Sequence, residues 1–135
     1  MVDIAIIGAG LSGLIAANKL NHISSVEVFE KSRGVSGRMA TRNSDPFFFD
    51  HGAQYFKIKT DSFRNFLFPM FKDGIIQEWK GVFAEIKNKK IKYLDNTLNN
   101  NIRYVGVPGM NSVGKYLANG INIKLNCEII STIRE

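Results

Sequence analysis

The sequence predicts an α/β fold, a parallel sheet carrying helices, and three observations within residues 2–30 lead to it. Residues 3–7, Asp3-Ile4-Ala5-Ile6-Ile7, form an apolar run of strand length, as expected where both faces of a parallel strand are covered. Gly8-Ala9-Gly10-Leu11-Ser12-Gly13 follows at once and a helical pattern opens behind it. Gly13, Ala16, Ala17 and Leu20 fall at i, i+3, i+4 and i+7, a face of mostly small residues that can lie close on a sheet. Ser25-Val26-Glu27-Val28-Phe29 reads as a second strand, closed by Glu30.

Each glycine of this turn has a physical reason. Gly8 permits the tight exit from the strand, Gly10 lets backbone approach a pyrophosphate, and Gly13 lets helix and strand pack closely. The helix then offers free N–H groups and the positive end of its dipole to phosphate. Glu30 stands about 20 residues after Gly8, where a carboxylate can accept hydrogen bonds from a ribose 2′-OH and where a 2′-phosphate is disfavoured. Strand, glycine turn, helix and acid together predict a dinucleotide half-site.

The 135 residues suit one domain, able to bury about two-thirds of its unfolded surface. A hydrophobic share of 44% with 22% charged residues describes a globular protein. The apolar runs are too short to span a bilayer, and a strand starting at Val2 leaves no room for a signal peptide, so the expected compartment is the cytoplasm. Cys127 is the single cysteine, which excludes an internal disulfide or a cysteine-based metal cage and reads as a buried small hydrophobe. A net charge of +6 at a pI near 9.6 permits attraction to anions. The lysines are scattered, however, and no recognition helix or aromatic–basic ladder accompanies them, so nucleic acid is not expected as a partner.

Residues 31–42 place Arg33, Arg38 and Arg42 with Gly34 and Gly37 just past the half-site. Glycines let backbone lie against a flat or charged ligand and an arginine can fork onto phosphate oxygens; the same composition also suits a solvated basic loop. Arg33-Gly34-Val35-Ser36-Gly37-Arg38-Met39 resembles the second glycine motif of FAD-dependent oxidoreductases related to amine oxidases. Asp50-His51-Gly52-Ala53-Gln54-Tyr55 at this distance is similar to the renalase branch, and the similarity continues through Trp79 and Tyr104-Val105-Gly106-Val107-Pro108-Gly109-Met110. Ser36 departs from the pattern, since relatives often carry glycine there; serine is small, so the departure weakens the match little.

The resemblance implies an α/β, Rossmann-type FAD-binding domain plus the beginning of an inserted antiparallel substrate-side sheet. Residues 1–56 would be the FAD-binding portion with the second glycine motif, 57–109 the start of the inserted region, and 110–135 the return towards the nucleotide-binding domain, with the chain shorter than its relatives. Carried over residue by residue, Gly8, Gly10, Leu11, Ser12 and Gly13 would line the pyrophosphate, and Glu30 with Lys31 would hold the ribose side. Gly37, Arg38 and Met39 would meet the cofactor from the second motif, with Gln54 and Tyr55 beside the flavin. The implied reaction passes hydride from a reduced small molecule, a dihydronicotinamide isomer or an amine, to FAD, with reoxidation by dioxygen. Two rivals stay open: a NAD-binding dehydrogenase fragment on the same half-site, and a truncated, non-catalytic remnant whose unpaired sheet edge invites self-association.

No side chain is assigned as acid, base, nucleophile or metal ligand. Asp50 and His51 are adjacent on a strand and so point to opposite faces; His51 is set aside as structural. Phe47, Phe48 and Phe49 read as core aromatics. Thr60-Asp61 caps a helix with Phe63, Phe66, Leu67, Met70 and Phe71 on its apolar face, which Pro69 should kink or shorten and Asp73-Gly74 end. Residues 75–79 read as extended, 82–87 and 90–94 as a hairpin around Asn88-Lys89, and 96–101 as a polar loop. Residues 102–107 form a short strand, Asn111 or Ser112 caps a helix ending near Ala118, and residues 121–133 read as strand.

Overall fold

The computed structural model describes residues 2–94 and 102–133; the expected polar loop at 96–101 lies outside them. The predicted α/β layer is present. Strand β1 (Ile4–Ile7) leads into helix α1 (Leu11–Leu20) and strand β2 (Val26–Phe29). Strands β1 and β2 run parallel with Ile4 opposite Val26 and Ile7 opposite Phe29, as a strand–helix–strand crossover requires. A further parallel strand, called β9 below (Asn122–Lys124), pairs with β2 on its other side, so β2 is central. Glu27 on β2 ties the two together, accepting from Asn122 at 3.0 Å and Lys124 at 2.9 Å.

Between β2 and β9 the chain forms three antiparallel pairs. Strands β3 (Thr41–Ser44) and β4 (Phe47–Asp50) make a hairpin. Helix α2 (Asp61–Lys72) follows, then β5 (Ile76–Glu78). Strands β6 (Phe83–Lys87) and β7 (Lys90–Leu94) form the expected second hairpin, with Asn88 and Lys89 both at positive φ in its turn. Strand β8 (Tyr104–Gly106) pairs back onto β5, and helix α3 (Asn111–Leu117) leads to β9. The core gathers Leu14 and Ala17 of α1, Val26 and Val28 of β2, Leu67 and Met70 of α2, Ile76, Tyr104, Val113 and Leu117. The side-chain amide of Asn18 donates to the Leu117 carbonyl, fastening α1 to α3.

Several expectations are corrected. Phe47, Phe48 and Phe49 are 62%, 49% and 52% exposed, so they are not core: a two-stranded hairpin has two faces and neither is covered here. Helix α2 is not shortened by Pro69 and runs on to Lys72, with Asp73 closing it as expected. The carbonyl deprived of a donor belongs to exposed Asn65, where water can satisfy it. The Thr60 hydroxyl accepts from the Phe63 amide at 3.2 Å as the expected cap, but Asn111 and Ser112 lie inside the first turn of α3, whose cap residue is Met110. Only Asn122–Lys124 of the expected final strand pairs with the sheet. Asn126 turns the chain at φ 54, and the amides of Asn126 and Cys127 then bond the carbonyls of Ser32 and Glu30 at 3.0 and 2.9 Å.

Ser36 departs further from an ordinary serine than its size suggests. It is 1% exposed and sits at φ 93, in the region that favours glycine. Its hydroxyl donates to the Asn111 carbonyl at 3.0 Å, and it packs directly on Gly114 of α3, where an added Cβ would lie 2.1 Å from the Ser36 Oγ. A helical Gly→Ala change ordinarily stabilises by up to ~1 kcal/mol. We expect Gly114→Ala to do the reverse, costing about 1–3 kcal/mol through overpacking, with Ser36→Gly in the same chain recovering part of the loss. Denaturant midpoints of the parent, both single variants and the double variant measure this; a stabilised Gly114→Ala chain contradicts the packing.

Candidate functional site

The glycine turn forms one side of a cavity, and the structure separates the jobs of its glycines. Gly8 has φ +99, a conformation that a side chain resists. At Gly13 an added Cβ would lie 2.0 Å from the Gly8 carbonyl oxygen, so helix and turn touch there. Gly10 differs from both. Its φ is −74 and an added Cβ would meet nothing within 4 Å. Neither backbone geometry nor packing within the protein requires glycine at 10; the space it leaves open faces outward. Gly10 is also the cap residue of α1 and supplies no side-chain acceptor to the helix's first amides, which leaves them available to an anion.

The second glycine loop comes to the same place. The Ser36 amide donates to the Ala9 carbonyl at 2.9 Å, Gly10 and Ser36 pair as an isolated parallel bridge, and Gly37–Met39 forms a single 3-10 turn. Gly8, Gly10, Leu11, Ser12 and Gly13 from the first loop and Gly37, Arg38 and Met39 from the second line one cavity of about 490 Å³. Arg38 thus lines the same cavity as the first residues of α1, where an arginine and the helix dipole both favour negative charge.

The cavity extends both ways. Towards β9, Ile7 and Gly8 also line a space of about 330 Å³ with Phe29, Glu30, Lys31 and Cys127. Towards β4, Gly37 and Arg38 also line a space of about 550 Å³ with His51, Gly52 and Ala53. The flanking cavities each share lining residues with the central one, so the three lie side by side with the glycine turn in the middle and are called the trench below. A separate depression of about 560 Å³ beside Val107, Lys115 and Tyr116 contains none of the residues expected to bind the cofactor.

Glu30 has a structural task that spacing did not reveal. It is 7% exposed, and its two carboxylate oxygens accept from the Ala9 amide at 2.7 Å and the Ser32 amide at 2.8 Å. It therefore fixes the turn before any ligand arrives. Each oxygen keeps a further lone pair for a ribose hydroxyl. Burial pushes its pKa up, but the Ser32 and Ala9 amides, the Ser32 hydroxyl and the Lys31 cation outweigh this and hold it below the usual glutamate value.

Of the remaining predicted residues, Gln54 and Tyr55 do not line the trench. Gln54 is exposed, and Tyr55 packs on Trp79, with ring centroids 6.0 Å apart. Four residues that the sequence left out of the site also line these cavities: His51, Gly52, Ala53 and Cys127. His51 is exposed at the trench while Asp50 turns inward, accepting from the Met110 amide at 3.0 Å and from the Thr41 hydroxyl. Gly52 is needed for close approach: a Cβ there would fall 2.1 Å from the Arg38 carbonyl oxygen. Cys127 is half-buried, not core. The opposite directions expected of Asp50 and His51 are observed; nothing local marks Cys127. Among the described residues no group of three or more His, Cys, Asp or Glu could hold a metal ion, and no helix is long and apolar enough to cross a membrane.

The family described as NAD(P)-binding Rossmann-like domain matches residues 6–73 of the chain. Among solved structures, putrescine oxidase bound to putrescine is 26% identical with a TM-score of 0.51, over 70% of this chain and 21% of that one. A double mutant of putrescine oxidase, from a redesign of cofactor binding, is 28% identical with a TM-score of 0.53 over the same shares. Cyclohexylamine oxidase from Brevibacterium oxydans IH-35A is 25% identical with a TM-score of 0.51, over 72% of this chain and 23% of that one. The chain thus spans only about a fifth of the length of the solved structures it resembles.

The depressed pKa of Glu30 makes a prediction with a definite sign. A carboxyl held low in the folded state adds stability that is complete above its ordinary value and is lost as pH falls through the folded-state value. We expect the acid limb of the stability profile to fall below the usual glutamate range in the parent chain and to flatten there in Glu30→Gln, which should be less stable near neutral pH by about 1–3 kcal/mol because one buried amide loses its acceptor. Urea midpoints across the acid range measure both; an unchanged acid limb in the variant refutes the role.

Proposed function

The chain belongs to the NAD(P)-binding Rossmann-like domain family, and on that premise we propose that it is the nucleotide-binding part of an FAD-dependent oxidoreductase related to the flavin amine oxidases. The observation that carries this reading is the meeting of two loops: Gly10 of the first and Arg38 of the second line the same cavity. A NAD half-site needs only the first. The trench fits an extended dinucleotide, with open space at Gly10 for two phosphates, free amides at the start of α1, and arms on both sides of the turn.

In this reading the amides of α1 and the Arg38 cation neutralise the pyrophosphate. Glu30, with Lys31 beside it, faces the adenosine ribose, and the arm lined by Arg38, His51 and Ala53 takes the flavin side, with Gln54 and Tyr55 next along the chain. When bound, FAD supplies a ring that accepts hydride from a reduced small molecule, a dihydronicotinamide isomer or an amine, and passes the electrons to dioxygen. The motif order shared with the renalase branch supports the first substrate; the amine oxidase structures support the second. The chain's own part is to bind, orient and neutralise, and no side chain in it is assigned a proton-transfer role. The whole reaction belongs to a longer architecture, of which this chain matches about a fifth.

Cys127, the single cysteine, lines the Glu30 arm and reports on it directly. We expect FAD to be retained by the purified chain as a visible flavin band and to slow the reaction of Cys127 with a thiol reagent. Gly10→Val should weaken FAD binding by more than about a hundredfold, equivalent to ~2.7 kcal/mol, because its side chain would occupy the phosphate space, while the emission of Trp79 stays native. A chain that ignores FAD but protects Cys127 with NAD would support the dehydrogenase reading instead, and unchanged flavin content in Gly10→Val would reject the site.

A further inference from the structure

Beyond the residues that line the trench, the chain continues into an aromatic cluster. Ala53 lines that arm and its amide donates to the Arg38 carbonyl at 2.9 Å; Tyr55 lies two residues further on. Tyr55 packs on Trp79 with centroids 6.0 Å apart, and Trp79 meets Phe83 edge to face at 5.0 Å. The Arg103 guanidinium lies over the Tyr55 ring at 5.2 Å and the Phe83 ring at 4.0 Å. The backbone beneath is fixed. The Trp79 amide donates to the Arg103 carbonyl at 2.8 Å, and Phe56 exchanges two hydrogen bonds with Tyr104 at 3.0 and 2.9 Å. Yet Tyr55 and Trp79 remain 40% and 41% exposed.

From this arrangement we propose that Tyr55 and Trp79 form a binding platform for a planar aromatic ring that carries no positive charge. Two rings held rigidly by their neighbours lose little freedom when a third stacks on them. The charge preference follows from Arg103, whose cation already lies against the Tyr55 and Phe83 rings and would repel an ammonium group brought to the same cluster. Lys57 and Lys80 flank the two aromatics in sequence, which adds to the repulsion of a second cation. The role of this platform as the substrate side of the flavin rests on the reading above; its affinity for a ring does not.

The test uses the whole chain, labelled with nitrogen-15. Trp79 is the single tryptophan, so one indole N–H resonance reports the platform. Benzamide should move that resonance saturably, while benzylammonium, the same ring with a positive charge, should need a concentration higher by about fivefold or more, the scale of one aromatic contact. Tyr55→Leu should weaken benzamide by a similar factor. Lys80→Glu, an exposed change that keeps the fold, should narrow the gap between the two ligands. Absence of a saturable shift with benzamide, equal responses to both ligands, or a gap untouched by Lys80→Glu would overturn the proposal. Protection of Cys127 by FAD in those same samples would leave the flavin reading standing, whereas loss of that protection with benzamide binding intact would remove the flavin and leave the platform.

Discussion

Two loops distant in sequence meet backbone to backbone at the Ser36 amide and the Ala9 carbonyl, 2.9 Å apart. The site depends on this contact. It makes Gly10 and Ser36 neighbours, sets the Gly37–Met39 turn beside the start of α1, and brings Arg38 to the cavity that the first residues of α1 line. Close packing around this contact restricts Gly13 and Gly37 to small residues, and Ser36 itself lies buried at a positive φ with its hydroxyl satisfied by Asn111.

The contact is supported from two directions. Glu30 grips the turn by accepting from Ala9, the same residue whose carbonyl receives Ser36, and from Ser32 beyond the strand. Helix α3 closes on Ser36 from the other side through Gly114 and is itself fastened to α1 through Asn18. A cavity held by backbone and one buried acid is pre-organised: little reorganisation remains for a ligand to impose. It also ties nucleotide affinity to fold stability, since the groups that shape the trench also hold the sheet to its helices.

The antiparallel part is built differently. Its pairs β3–β4, β5–β8 and β6–β7 are separate two-stranded units, and they leave large apolar side chains in the open, among them Phe47, Val82, Ile86 and Tyr93. Where β5 and β8 meet residues 55 and 56 the backbone is cross-linked and aromatics cluster around Arg103. Aromatic surface and basic charge dominate that region.

The half-site was legible in the sequence because its determinants are local. An apolar run, three glycines at fixed spacing and an acid at the end of the next strand each act through neighbouring backbone, and β1, α1 and β2 form as that pattern requires. The glycine at position 10 was readable for the same reason: a missing side chain shows in the letters themselves. What tertiary structure decided concerns pairs that no spacing encodes. Whether Phe47–Phe49 are covered depends on a layer that other segments must supply. Whether Glu30 is a ligand group alone or also a clamp depends on where the Ala9 and Ser32 amides end up, and Cys127 enters the trench only because Asn126 turns the chain back under Glu30. Sequence determines conformation through the few residues on either side; burial and cavity walls are set by contacts across the fold, and those exist only once the sheet and its helices have closed.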